Sequence, residues 1–328
     1  MTSCSSNTTK YSLSPMPDSI AILAYPGCLL SAVHGLEEMF WIANHCSEEL
    51  DLPYRFDCRI LNWPEDFTSE PADAYAVVLL PPSRERGFDL DTPDEITRWL
   101  EQQHRQGCIL ASACASAFIL AQTNLLEHKT ITTHWGLADL FRGKHPGLVL
   151  ETKDILLNQG DIVTAGGMMS WVDLGLEMIA QLGSPALMRR VGKLLVVDTG
   201  LREQRYYQQF RPSFLHGDEV IVELQHFIDR RFAERLSLPL LAKRARLTER
   251  TLQRRFVKAT GLNPNQYLQR VRIQNACDLL ESSKLTFGQI THQIGYEDVG
   301  ACRKTFIRVM GLTPGEFRRR FAYPNHIA

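Results

Sequence analysis

From residue 19 to residue 182, short apolar runs alternate with longer amphipathic stretches. The runs Ile20 to Tyr25, Tyr54 to Ile60, Tyr75 to Pro81, Cys108 to Ser112 and Asp161 to Ala165 have strand length. Between them, Val33 to His45, Pro93 to Arg105, Ser116 to Thr123 and Met168 to Leu182 carry apolar positions at helical spacing. Alternation of this kind predicts a doubly wound α/β domain with a mostly parallel sheet covered on both faces, whose ligands bind outside the carboxyl ends of the strands. Beyond residue 217 the helical period takes over, which predicts an all-α domain there.

Within that helical region a single pattern is written twice. TLQRRFVKATGLNPNQYLQR (residues 251–270) aligns without a gap on ACRKTFIRVMGLTPGEFRRR (residues 301–320). Phe256 falls on Phe306, Gly261 on Gly311, Pro264 on Pro314 and Tyr267 on Phe317. Two copies are too few for a solenoid, so they predict paired supersecondary units. Each copy follows a short amphipathic segment, Pro239 to Ala245 and Phe287 to Ile294, and reads as helix, turn, helix. Thr248 and Asp298 are the expected N-caps. Leu252, Phe256 and Val257 form the expected inward stripe of the first copy, and Cys302, Phe306 and Ile307 that of the second. Arg250, Gln253 and Arg254, with Arg303 and Lys304, are expected outside. Pro264 to Glu281 is the expected connecting helix.

These residues, together with the Ile-Gly-Tyr-Glu-Asp run at 294–298, resemble the DNA-binding domain of the AraC/XylS family of transcription regulators. The resemblance covers about the last hundred residues. It implies double-stranded DNA as partner, with Arg250, Gln253, Arg254, Arg303 and Lys304 reaching the bases. Arg246 stands where the family usually has glycine in the first turn, which predicts either local backbone strain or another turn geometry.

Charge sharpens this picture. The chain has 328 residues and a net charge of −1. Residues 217–328 hold 19 Lys and Arg against 11 Asp and Glu, whereas the remainder holds 17 against 26. A basic domain is therefore hidden in a near-neutral protein, and a polyanion suits it. Any single arginine reads first as belonging to a solvated helix face; the repeated placement favours DNA. The eight cysteines show no disulfide or metal spacing, so reduced thiols, a cytoplasmic setting and no metal or cofactor are expected. No stretch has transmembrane length. The expected organisation is a disordered tail at 1–17, an α/β domain at 18–197, a linker at 198–216 and the helical domain at 217–328.

In the first domain the chemistry concentrates at Ala113-Cys114-Ala115, where the strand ending at Ser112 turns into a helix. Small residues flanking a nucleophile suit a sharp strand-to-helix elbow, and a helix N-terminus there would lower the thiol pKa. Thr132-Thr133-His134-Trp135 places a histidine within reach across the sheet edge. Trp63, Trp135 and Trp171 read as core aromatics before they read as walls for a cationic ligand. Met168 and Met169 likewise read as filler.

The segment ASACASAFILAQTNLLEHKTITTHW, with Tyr25-Pro26-Gly27 and Thr164-Ala165-Gly166-Gly167, resembles the ThiJ/PfpI superfamily of amidotransferase-like proteins, which have a flavodoxin-like fold. That domain followed by an AraC-type domain is similar to the GlxA family of transcriptional regulators. The resemblance implies a homodimer that works with RNA polymerase and senses a small, nitrogen-containing effector, with Cys114, His134, Gly27 and Trp135 at the sensing site. Active members of the superfamily place an acid where this chain has Ala32, which argues against turnover. A cysteine-dependent hydrolase with an accessory DNA-binding domain stands as the alternative, and a nucleoid-binding protein without sequence preference as a third reading.

Overall fold

The computed structural model describes residues 18–67, 74–84, 92–200 and 202–322. The tail expected over Met1 to Pro17 lies outside the described residues. Contacts divide the chain into two units, residues 1–204 and 205–328.

The first unit runs β1 (Asp18–Ala24), α1 (Leu30–Glu49), β2 (Phe56–Asn62), β3 (Val77–Leu80), α2 (Asp94–Arg105), β4 (Ile109–Ala113), α3 (Ala117–Leu120), β5 (Thr130–Ile131), α4 (Ala138–Lys144), β6 (Val149–Leu150), β7 (Leu156–Asn158), β8 (Ile162–Ala165), α5 (Trp171–Met178) and α6 (Pro185–Leu195). The main sheet has the order β2-β1-β3-β4-β8-β7, parallel except for the antiparallel edge pair β7 and β8. The central strands show why these residues became strands. Every residue of β3 and β8 is buried, as a parallel strand covered on both faces requires, and edge strand β2 is only half-buried.

The strands follow the apolar runs, and the helices depart from the sequence expectation at informative places. Ser116 to Thr123 does not form one helix. A 3₁₀ turn occupies Cys114–Ser116, and α3 has only four residues. The expected helix from Met168 starts at Trp171 and gives way after Met178 to a wider π turn at Ile179–Gly183. The short elements β5, β6 and β7 and the helices α4 and α6 have too few apolar positions, or too mixed a pattern, to stand out in the sequence.

The second unit contains α7 (Glu219–Arg231), α8 (Leu238–Ala245), α9 (Glu249–Thr260), α10 (Pro264–Ser282), α11 (Phe287–Gln293), α12 (Val299–Met310) and α13 (Pro314–Phe321). It has two cores. Ile221, Leu224, Leu241, Leu252, Phe256 and Tyr267 belong to one, and Ile273, Leu280, Ile290, Ile294, Phe306 and Phe317 to the other. Helix α10 supplies its first half to the former and its second half to the latter. The sequence repeat is therefore a structural repeat, and it extends to side-chain geometry. Phe256 meets Tyr267 edge-on at 5.3 Å and 80°, and Phe306 meets Phe317 at 5.6 Å and 85°. Gly261 and Gly311 end α9 and α12 at φ 71° and 76°, a conformation that glycine enters without Cβ strain. Asn263 with Gln266 and Thr313 with Glu316 then close capping boxes on the next helices.

Thr248 and Asp298 cap as expected. Arg246 takes the left-handed conformation at φ 52°, at a cost of about 1 kcal/mol. The inward stripe is narrower than expected: Val257 and Ile307 do not point into the cores but are 47% and 38% exposed. Leu252 with Phe256, and Cys302 with Phe306, already fill the inner face, and one further residue around the helix turns outward. Residues 205–216, counted with the linker in the sequence reading, pack on this unit. Phe210 N donates to Gln274 Oε1 at 2.8 Å, and Tyr207 meets Phe321 edge-on.

Candidate functional site

In the first unit the elbow forms as the small residues allow. β4 runs extended to Ala113, and Cys114 then adopts φ 58°, a left-handed conformation that a non-glycine residue holds only when its surroundings enforce it. Ser116 contributes to that enforcement. Its Oγ accepts from Ala113 N at 3.0 Å and lies 2.7 Å from Leu80 O, so it pins both ends of the turn. A glycine there would leave the elbow looser. Thr133 Oγ1 donates to Cys114 O at 2.6 Å and brings the Thr132 to Trp135 segment onto the elbow.

The thiol is not activated. Burial pushes Cys114 up to about 11, against the lowering expected from a helix N-terminus. The physical reason is that only a four-residue helix follows, whereas the side chain is almost wholly removed from water. Burial also lowers the pKa of His134. Its Nδ1 accepts from Gly136 N at 2.9 Å, which places the proton of the neutral ring on Nε2. Among the described residues no hydrogen bond joins Cys114 to His134. Ala32 is fully buried in α1, while Glu38 is exposed and Glu37 lies near His34 on the helix surface. At neutral pH the elbow therefore presents a protonated thiol and a neutral imidazole.

The other expected residues are placed as follows. Gly27 turns at φ 79°, and its carbonyl accepts from Arg84 N at 3.0 Å and from Ser83 Oγ at 3.3 Å. That loop is tied to the end of β3 by Tyr25, whose OH donates to Pro81 O at 2.6 Å. Pro81 and Pro82 are buried beneath it. Trp135 lies beside His134, with ring centroids 5.2 Å apart. Trp63 packs on Phe67, and Trp171 covers Gly35, where a Cβ would overlap its ring, so both belong to the core.

One residue carried no signal in the sequence. Gln204, within the expected linker, is buried beside the elbow segment. Its Nε2 lies 2.9 Å from Thr132 Oγ1, 3.1 Å from Thr133 O and 3.0 Å from Asp154 O, and its Oε1 accepts from Trp135 N at 3.2 Å. It fits because residue 166 is glycine: a Cβ there would overlap the Gln204 amide. Its polarity masks this role, since a buried amide looks like a loop residue until its partners are known.

In the second unit Arg250, Gln253 and Arg254 are exposed on α9, and Arg303 and Lys304 on α12. Arg303 rests 5.8 Å from the Phe287 ring. Arg255 is different. It turns back to Asp218, donating to both carboxylate oxygens at 2.9 and 2.6 Å, and fixes α9 to the start of α7. An open cleft of about 500 Å³ lies there, lined by His216, Asp218, Glu219, Arg255 and Lys258. Its carboxylates and cations balance, unlike the exposed face of α9.

Among the described residues no helix is long and apolar enough to cross a membrane, and no group of His, Cys, Asp or Glu could hold a metal ion. Residues 64–181 match the DJ-1/PfpI family, and residues 241–320 match the helix-turn-helix domain. The chain is 24% identical over 225 residues to the HTH-type transcriptional regulator CdhR of Pseudomonas aeruginosa, a match covering 68% of this chain and 66% of that protein. It is 26% identical over 227 residues to the HTH-type transcriptional regulator GlxA of Rhizobium meliloti, covering 67% of this chain and 68% of the relative. With the HTH-type transcriptional activator RhaR of Salmonella schwarzengrund it shares 36% identity over 101 residues, 31% of this chain and 34% of that one. The full-length relatives are thus matched over about two thirds of their length. The chain joins a region similar to the DJ-1/PfpI family to a region similar to a helix-turn-helix domain.

Proposed function

We propose that this protein is a cytoplasmic transcription regulator whose two helix-turn-helix units bind specific double-stranded DNA and whose DJ-1/PfpI domain senses a small molecule. The observation that carries the proposal is the duplicated unit. Two equivalent helices, each held on its own core, expose Gln253 and Arg254 and, at the matching positions, Arg303 and Lys304, and the first adds Arg250. Arginine and glutamine on such a helix make bidentate contacts with guanine and adenine edges, and the surrounding charge attracts phosphate. The names of the relatives point the same way.

Cys114, His134, Gly27 and Trp135 are the proposed sensing residues. A protonated thiol and a neutral imidazole suit recognition of a small polar or nitrogen-containing molecule. They do not suit nucleophilic attack, which needs a thiolate and a base to make it. The effector regulates only if it binds the DNA-competent state with a different affinity, and operator DNA must then change effector affinity by the same factor. A homodimer on paired sites, acting with RNA polymerase, completes the proposal.

The test is selection of bound duplexes from a random pool by the full chain, with affinity then measured against salt. One enriched motif, a steep salt dependence and unchanged selection by Cys114→Ala support the assignment. Equal affinity for all duplexes refutes it. Product release from amide substrates, lost in Cys114→Ala, would establish the hydrolase instead.

A further inference from the structure

The two outward-turned aliphatic residues, Val257 and Ile307, occupy the same position in the repeat. Isolated exposed aliphatic side chains are ordinary on protein surfaces. These two recur at one structural position, and their neighbours recur with them. Val257 lies seven residues after Arg250 and shares its helix face with Gln253 and Arg254, at the i, i+3, i+4, i+7 spacing by which a helix lies along a groove. Ile307 stands in the same relation to Gly300, Arg303 and Lys304. Each is flanked by a further exposed cation, Lys258 or Arg308.

We propose that Val257 and Ile307 are specificity residues that each pack on a thymine C5-methyl group in the major groove. The inference rests on the DNA-binding reading above and deepens it. A ring of cations around one aliphatic side chain is a poor docking site for an apolar protein surface, because those charges would lose water without gaining partners. The major groove supplies what this arrangement lacks: phosphates at the rim for the cations, and one apolar group, the thymine methyl, on its floor. The duplication adds a second argument. A duplex presents the same groove again after one helical turn, so the same contact is made twice. The second unit needs it more, since Gly300 offers no side chain where the first has Arg250. The site of each protomer should then hold two thymines at equivalent places, about 10 base pairs apart.

Deoxyuridine lacks only the thymine methyl, so it isolates this contact. Duplexes selected with the wild-type chain are resynthesised with single thymine-to-uracil replacements. Wild-type affinity should fall about fourfold at one thymine in each half-site, the value of one buried methyl. Val257→Ala should bind the thymine and uracil duplexes of the first half-site equally while keeping its sensitivity at the second; Ile307→Ala should do the reverse. Val257→Ile should keep both. Since both side chains already face water, the variants should melt with the wild type. If the selected motif is bound and weakened by Arg254→Ala, yet the uracil penalty is the same in wild type and both alanine variants, the methyl contact is wrong and the DNA-binding reading stands. If no motif is selected at all, the reading and the inference fall together.

Discussion

The two units solve opposite problems with their functional residues. The elbow in the first unit is built inward. Cys114 is buried in a strained turn, held by Ser116 and Thr133, and the burial that positions it also suppresses its charge. The faces of α9 and α12 in the second unit are built outward, with cations in water and the cores behind them filled by Phe256 and Phe306. Burial keeps the thiol in its neutral form. Exposure keeps charge available to a polyanion. The contrast is between a nucleophile-type elbow whose thiol burial keeps protonated and, in the other unit, a basic surface that stays open to water.

The largest expected effect separates the two cores of the second unit. Phe256→Ala and Phe306→Ala should each cost about 3–5 kcal/mol, because each side chain is fully buried against an aromatic partner. Hydrogen exchange should show Phe256→Ala loosening α8 and α9 before α12 and α13, and Phe306→Ala the reverse. Uniform loosening in both variants would mean that the cores are one cooperative unit.

Next in size, Gly166→Ala should destabilise the first unit by about 2–3 kcal/mol, since the new Cβ displaces the Gln204 amide from its buried partners. Thermal unfolding of the full chain checks it. An unchanged midpoint would show that Gln204 can leave without loss.

A smaller, pH-dependent effect belongs to Asp218. The Arg255 guanidinium holds its carboxyl below the usual carboxylate range. The pair therefore stabilises fully above the unfolded value of about 3.9, and this contribution disappears as pH falls through the depressed folded value. Asp218→Asn should cost about 1 kcal/mol at pH 7 and progressively less below pH ~4. Since asparagine caps as well as aspartate, a cost independent of pH would show that the charge pair with Arg255 is not its source.

The smallest effect is a gain. Arg246→Gly should stabilise the second unit by up to about 1 kcal/mol by relieving the left-handed backbone at φ 52°. Denaturant unfolding would register it, and a loss would show that the arginine side chain contributes more than its backbone costs.

The same contrast governs what was legible in the sequence. The outward face could be read almost residue by residue, because periodicity, caps and duplication are local: Thr248, Asp298, Gly261 and Gly311 all stand where the pattern puts them. The error at Val257 and Ile307 is of the same kind, a stripe drawn one position too wide around the helix. The inward site was less fully legible. Small residues around Cys114 gave the elbow away, but the thiol's raised pKa follows from burial that only the assembled sheet creates. Gln204 was invisible, since its partners Thr132, Thr133 and Asp154 lie at least 50 residues away in the chain.

The central claim is that two equivalent outward faces on one chain read DNA together, and a hydroxyl-radical footprint of the full chain on its selected duplex tests it most directly. Each bound protomer should protect two blocks about 10 base pairs apart, with the Arg303→Ala and Lys304→Ala double variant losing protection in one block of each pair and keeping it in the other. A single short block per protomer that this double variant leaves unchanged would show that the two units do not bind DNA together.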